Sequence, residues 1–555
     1  MAVSNKGPLS RILQILKFER KEISSIYFYA ILTGLVQLTL PIGIQSIISF
    51  VLGGSISTSL VLLIILVVIG VFVNGLLQVN QMKIIEKIQQ QLFVRYSFIY
   101  AQKIPKLDLK SVRNYYLPEL VNRFFDVISL QKGISKLLLD VPTATIQIIF
   151  GLLLLSFYHP AFIFFGILLV VILYMILRLT GNRGLETSLE ESSNKYKVAA
   201  HLEEVARMSS SFKFINDAFQ LRKADKHITG YLNARTSHFR ILLVQYWTLI
   251  GFKILITAAM LVVGAVLLVN QQLNIGQFIA AEIVIILVIN SVEKLIVNLD
   301  KVYDVITSLE KINTVIDSPE EESGEAVTKS DGKGMDVKLV NLSFSYDGKN
   351  NVLNDLSFEV ESGTKLFITG SAGSGKSTLL QLVGGLFRPD SGQLLLDKTP
   401  VNKHKLSELR RRISVIFSHT DIYSGTLMDN ITMGKDVSYD RVNEMAELVG
   451  LKDFVDSRDE GYDMMLHPLG EHLPDGVAQK ILLMRVMIAE PGLMLLEDPF
   501  DGVEEKYVVK INEYICKHMS HTTVLLASND RTYADKYDAL LELEKGSLKH
   551  YSNKK

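Results

Sequence analysis

Six stretches of this chain are apolar for long enough to cross a bilayer: residues 24–52, 58–80, 137–158, 160–180, 241–270 and 275–299. A spanning helix needs about 20 mostly apolar residues, because every backbone polar group must be satisfied inside its own segment. Residues 81–136 and 181–240 then change character. Apolar positions such as Ile84, Ile85, Ile88 and Leu92 recur there at the spacing of one helix face, which predicts helical continuations of the spans beyond the bilayer. Residues 317–334 are rich in Glu, Ser, Asp and Gly and poor in large apolar side chains, so they read as a solvated linker. The predicted organisation is therefore a membrane domain at 1–316, a linker at 317–334 and a second domain at 335–555.

Charge orients the spans. Residues 53–57, His159 and 271–274 carry no Lys or Arg, whereas 81–136 and 181–240 carry many, which puts both long loops and both termini on the cytoplasmic side. Residues 1–22, basic and with Leu9, Ile12, Leu13 and Leu16 in register, are predicted to form an amphipathic helix on that membrane surface rather than a cleaved secretory signal. Within the spans, Lys253 is placed to snorkel towards the cytoplasm, Trp247 to anchor at the interface, and Glu282 either to contact a neighbouring helix or to line a polar cavity. The 58 basic and 58 acidic residues leave no net field that would favour nucleic acid. Cys516, the only cysteine, excludes an internal disulfide and reads as a buried helix residue.

The candidate chemistry begins at residue 365. A short apolar strand, 365–369, runs into Gly370-Ser371-Ala372-Gly373-Ser374-Gly375-Lys376-Ser377 and then into a helix from Thr378. This is G-x-x-x-x-G-K-S in the strand–loop–helix setting its mechanism needs. The glycines let backbone N–H groups face phosphate oxygens, Lys376 supplies charge, Ser377 can ligate magnesium, and the helix N-terminus favours an anion. An accidental glycine-rich turn would not be expected to meet all four fixed positions in that context.

Further along, Leu342-Ser343-Phe344-Ser345-Tyr346, Ile413 to Ser418, Ser424 to Ile431, Leu473-Pro474-Asp475-Gly476-Val477 and Leu495-Leu496-Glu497-Asp498-Pro499-Phe500 occur in the order of the landmarks of ATP-binding-cassette ATPases, which this region resembles. Leu138-Leu139-Asp140-Val141-Pro142 and Ile275 to Ala280 resemble the type I secretion and peptidase-containing exporter branch, here without a peptidase domain before the first span. The resemblance implies an all-α, six-helix exporter-type transmembrane domain followed by an α/β P-loop cassette, in a half-transporter of a bacterial inner membrane. It implies ATP and Mg2+ as cofactors and a second half-transporter chain, identical or different, as partner. It also implies coupling helices near 107–118 and 208–217, and an adenine-stacking role for Tyr346, whose alternative is a core tyrosine.

Against that family pattern the hydrolytic residues are altered. The family's Asp-Glu pair at the strand end reads Glu497-Asp498, so Glu497 remains a candidate for the magnesium shell while Asp498 is a methylene short for orienting water. Ser418 stands for the γ-phosphate-sensing Gln and Ser528 for the downstream His, with His419 and His521 read as surface residues. In the signature, Pro474 removes a hydroxyl and an N–H, Asp475 brings negative charge towards phosphate, and only Leu473 and Gly476 persist, with Val477 next. Each site in a dimer draws its phosphate loop from one chain and its signature from the other, so weak or absent hydrolysis is expected in any pairing. Two functions remain open on these grounds: an exporter of a peptide, protein or amphiphile, or a pseudo-ATPase that scaffolds or regulates a partner. A nucleotide-gated channel lacks a selectivity-filter pattern.

Overall fold

The computed structural model describes residues 20–54, 58–113, 117–215, 217–327, 334–417, 422–474 and 476–553. The predicted surface helix at 1–22 lies almost wholly outside them. The described residues divide into two compact units, one of those up to Lys106 together with 117–318, the other of Leu107–Arg113 together with those from Pro319 onwards.

The first unit is all α, with six helical stretches long and apolar enough to cross a membrane. The continuous helices Thr58–Lys103, Ile163–Arg207 and Asp217–Val269 confirm that the spans run on into the long loops. At 1.5 Å per residue the 46-residue Thr58–Lys103 reaches about 69 Å, more than twice a hydrocarbon core. The first span is not one helix: Arg20–Gln37 stops and Thr39–Leu52 begins around Leu38. Pro41 in the new first turn has no N–H to donate to the preceding turn, so the hydrogen-bond ladder restarts there. The sixth span starts on a capping box, Asn274 with Gln277, and breaks at Asn298 into Ile275–Val297 and Leu299–Ile316.

Helix Asp126–Tyr158 packs tightly on that last pair because it presents glycines. A Cβ on Gly151 would come within 2.7 Å of Val288, and one on Gly133 within 2.4 Å of Val305. Phe72, Phe157 and Val269 stay exposed, as lipid-facing side chains do. The helical extensions are instead tied by buried polar groups. Asp126 accepts from Tyr196 at 2.6 Å, Ser188 meets Thr307 at 2.9 Å, and His238 lies 2.9 Å from Thr187 and 3.5 Å from Asp300. Lys253 does not simply snorkel: its Nζ pairs with Glu293 at 2.7 Å, while Glu282 is half-buried.

The second unit is α/β. Its strands are β1 (Val337–Ser345), β2 (Asn351–Val360), β3 (Lys365–Gly370), β4 (Ser391–Leu396), β5 (Thr399–Pro400), β6 (Ile413–Ile416), β7 (Gly425–Thr426), β8 (Met465–Leu466), β9 (Leu493–Glu497), β10 (Thr523–Ala527), β11 (Ala539–Glu544) and β12 (Ser547–Asn553). Sheet order β12-β11-β3-β10-β9-β6 puts β3 and β10 at the centre, with β3 parallel to β10 and β11, and β9 and β10 are buried along their whole length. Such strands read as continuous apolar runs because both faces are covered. A separate antiparallel sheet, β2-β1-β4-β5, closes one side of the core. Cys516 is half-buried rather than buried, on the rim of helix Glu505–Lys517.

The expected linker is largely structured. Helix Leu299–Ile316 ends just before residue 317, but 319–327 is held on the second unit by Glu321 to Arg410, Glu322 to Arg388, and the Ala326–His404 bridge. Its carboxylates find arginine partners, which composition alone does not reveal. Leu107–Arg113 joins the same unit through a bridge from Leu107 to Glu320 and an N–H from Asp108 to the Pro319 carbonyl at 3.0 Å.

Candidate functional site

β3 delivers the chain into the phosphate loop, and glycine is required where it turns. Gly373 and Gly375 have φ of +76° and +101°, and a Cβ on Gly375 would lie 2.5 Å from Leu353. Ser371, Ala372 and Gly373 are exposed at the apex while Ser374 to Lys376 are buried, so the loop is open on the side a phosphate must approach. Helix Lys376–Val383 follows directly, its N-cap at Gly375.

Lys376 folds back over the loop. Its Nζ donates to Gly370 O at 2.8 Å, to Ser371 O at 3.3 Å and to Asn529 Oδ1 at 2.9 Å. Burial pulls this ammonium below the ordinary lysine value, and Asp498 and Glu497 oppose that shift. Ser377 Oγ makes a short contact with Glu497 Oε1 at the end of β9. Glu497 is 7% exposed, and its Oε2, like Ser374 Oγ, is buried with no hydrogen-bond partner among the described residues. Orphaned buried oxygens are costly unless a ligand or ion satisfies them. Ser377 and Glu497 therefore fit a divalent cation, which they would hold and which would screen phosphate charge.

Asp498 adopts a left-handed φ of +39° as the strand ends, its N–H donating to Ala527 O at 2.9 Å. With Ser528, Asp501, Glu505 and Asp530 it lines a cleft of about 300 Å3. Burial and the neighbouring Asp498 both raise the carboxyl of Asp501 above its usual value. Ser528 is not the residue that reaches the phosphate loop. Its N–H still bonds to the sheet at Ile368 O, 3.0 Å away, and its Oγ accepts from Asp530 N. The first residue released from β10 is Asn529, and its amide meets Lys376. Extending the strand by one position in the sequence would have found it.

The signature region folds as a helix start. Gly476, with φ +80°, caps Val477–Ile488, and a Cβ there would lie 1.9 Å from Gly502 O. Pro474 is exposed and accepts from Val477 N at 3.1 Å. Asp475 and Ser418, with His419, lie outside the described residues. His521 is exposed, as expected.

Tyr346 is half-buried at the end of β1. Its hydroxyl bonds to Thr378 Oγ1 at 3.0 Å and donates to Gln381 Oε1 at 3.1 Å, which ties it to the helix that begins the phosphate site. Its ring packs against the edge of the core beside Phe344 and Phe387.

Two regions of the chain match described families: residues 25–292 the ABC transporter transmembrane region, and 353–501 the ABC transporter domain itself. Among curated relatives, it is 33% identical over 226 residues to an uncharacterized ABC transporter ATP-binding protein, YfiB, of Bacillus subtilis, covering 40% of this chain and 39% of that protein. It is 24% identical over 589 residues to the putative multidrug export ATP-binding/permease protein YgaD of the same organism, covering 98% of this chain and 95% of that one. With the alpha-hemolysin translocation ATP-binding protein HlyB of Escherichia coli O157:H7 it shares 27% identity, over 55% of this chain and 43% of that protein. The chain thus spans about two fifths of the length of YfiB and HlyB and nearly all of YgaD. A solved bacterial Atm1-family ABC exporter with ATP bound has the same fold, with TM-score 0.84 and 17% identity over 96% of this chain and 95% of that one. A matched ABC transporter transmembrane region followed by a matched ABC transporter domain, together with six helical stretches able to cross a bilayer, makes this chain an integral membrane member of the ABC transporter family.

Proposed function

We propose that this chain works as a dimer, through ATP binding with weak or absent hydrolysis, to export a peptide, protein or amphiphile. The observation that carries the reading is the contrast between a fully formed phosphate loop around Lys376 and a signature helix, Val477–Ile488, that is preceded by Pro474 in place of a hydroxyl-bearing residue. Asp498 and Asn529 stand where a longer carboxylate and an imidazole would serve hydrolysis, and both are poor replacements. The bacterial inner membrane, cytoplasmic termini and a Mg2+ held by Ser377 and Glu497 belong to the same reading. The relatives, one named for multidrug export and one for alpha-hemolysin translocation, support an exporter without narrowing its cargo. The depleted residues are also what favours the alternative reading, a non-transporting pseudo-ATPase that scaffolds or regulates a partner, while fold and topology favour the exporter.

The test is Lys376→Ala in the purified full chain. ATP affinity should fall roughly 10- to 100-fold, the loss of a buried charge-assisted phosphate contact. Phosphate release by the unsubstituted chain should stay far below an ordinary turnover of about 10 per second. Turnover at that rate, or ATP binding indifferent to Lys376, would refute the proposal. Cargo flux into vesicles that depends on ATP separates exporter from regulator.

A further inference from the structure

The loop segment Leu107–Arg113, which in the chain joins two membrane helices, is built into the nucleotide-binding unit beside Tyr346. Leu107 and Val112 are each 3% exposed, and Lys110 Nζ pairs with Asp390 at 2.6 Å. Asp390 also accepts from Ser345 N at 2.7 Å and from its hydroxyl at 3.0 Å, so the same carboxylate grips the loop segment and the residue before Tyr346. From this anchorage Arg113 reaches across, and its guanidinium carbon sits 4.2 Å from the centre of the Tyr346 ring. That is stacking distance for a planar cation on an aromatic face. Phe344 and Phe387 stand nearly perpendicular to the ring with centroids 5.0 and 5.4 Å away, and its hydroxyl is held by Thr378 and Gln381.

We propose that Arg113 occupies the face of Tyr346 on which the base of the nucleotide stacks, so that ATP binding evicts Arg113 and is felt at once by the loop segment between the two membrane helices. This rests on the ATP-binding reading above and deepens it: the signal passes at the binding step and needs no hydrolysis. A base and a guanidinium cannot share one stacking position, since each needs about 3.5 Å of clearance from the ring. Arg113 therefore sets nucleotide affinity by competition with the base, while the phosphates are read separately by the loop at Lys376.

The experiment measures ATP and tripolyphosphate affinity, without turnover, for the purified full chain and for Arg113→Ala, Arg113→Lys, Tyr346→Leu and the Arg113→Ala/Tyr346→Leu pair. Removing the competitor should tighten ATP roughly 2- to 30-fold, the span expected for losing a stacked cation. Arg113→Lys should fall between, tripolyphosphate should be unchanged, and the gain should vanish in the Tyr346→Leu background. Hydrogen exchange at 107–113 should rise on adding ATP to the unsubstituted chain. Unchanged or weaker ATP binding by Arg113→Ala, or a gain that persists without Tyr346 or extends to tripolyphosphate, overturns the competition while leaving the phosphate-loop reading intact. Failure of the unsubstituted chain to bind ATP would overturn both, and Lys376→Ala distinguishes the two cases.

Discussion

The phosphate loop and the signature helix are built alike and have fared differently. Both begin a helix at a glycine with positive φ, Gly375 and Gly476, and in both a side chain at that glycine would strike a neighbour, Leu353 in one and Gly502 in the other. In the loop the groups around the glycine still include an ammonium, a hydroxyl and exposed N–H groups. Ahead of Gly476 stands Pro474, which has neither a side-chain hydroxyl nor an N–H, so on the reading proposed above only the frame remains there. A glycine required by packing thus says nothing about whether the chemistry around it persists; the polar side chains must be read one by one.

Rebuilding the depleted side is the strongest way to break this contrast. A chain carrying Pro474→Ser, Asp475→Gly, Glu497→Asp, Asp498→Glu and Asn529→His should release phosphate from ATP about 100-fold faster than the unsubstituted chain, or more, because positioning and charge stabilisation in the transition state are each worth that order. No gain, with ATP still bound, would mean that something other than these groups limits hydrolysis. Next in size is Gly476→Ala, where the imposed φ and the 1.9 Å approach to Gly502 should cost about 1–3 kcal/mol and lower the unfolding midpoint of the nucleotide-binding unit. Pro474→Ser alone, at an exposed position, should change stability by less than about 0.5 kcal/mol. Equal effects of the two would remove the distinction between frame and chemistry.

The smallest effect concerns Asp390. Burial would raise its carboxyl, but hydrogen bonds from Lys110 and Ser345 outweigh burial and hold it below the ordinary aspartate value. A depressed carboxyl stabilises the folded form above the unfolded pKa, near 4, and that contribution disappears as pH falls through the lower folded value. Proteolytic protection of 107–113 should accordingly be constant from neutral pH to about 5 and decline below about 4, and Asp390→Asn should remove the acid step. The side chain is 39% exposed, so solvent screening keeps the change modest.

Much of this was legible beforehand. Six apolar runs and the strand–loop–helix around Lys376 are local signals, and the helices and β3 fall where those signals place them. What escaped depends on partners distant in the chain. Glu321 and Glu322 look solvated until Arg410 and Arg388 meet them, Lys253 looks like a snorkelling residue until Glu293 arrives beside it, and Asn529 rather than Ser528 faces Lys376 because one more backbone bond holds Ser528 in the sheet. Arg113 carries no motif; only its approach to Tyr346 marks it.

The placement of Leu107–Arg113 has a practical corollary. Severing the chain near Pro319 to prepare a soluble C-terminal fragment would strip that fragment of a native part, uncovering Phe344 and leaving Asp390 without its lysine. Such a truncate would be stickier and less robust than the intact polypeptide, and supplying the missing piece as a short synthetic peptide should partly restore it.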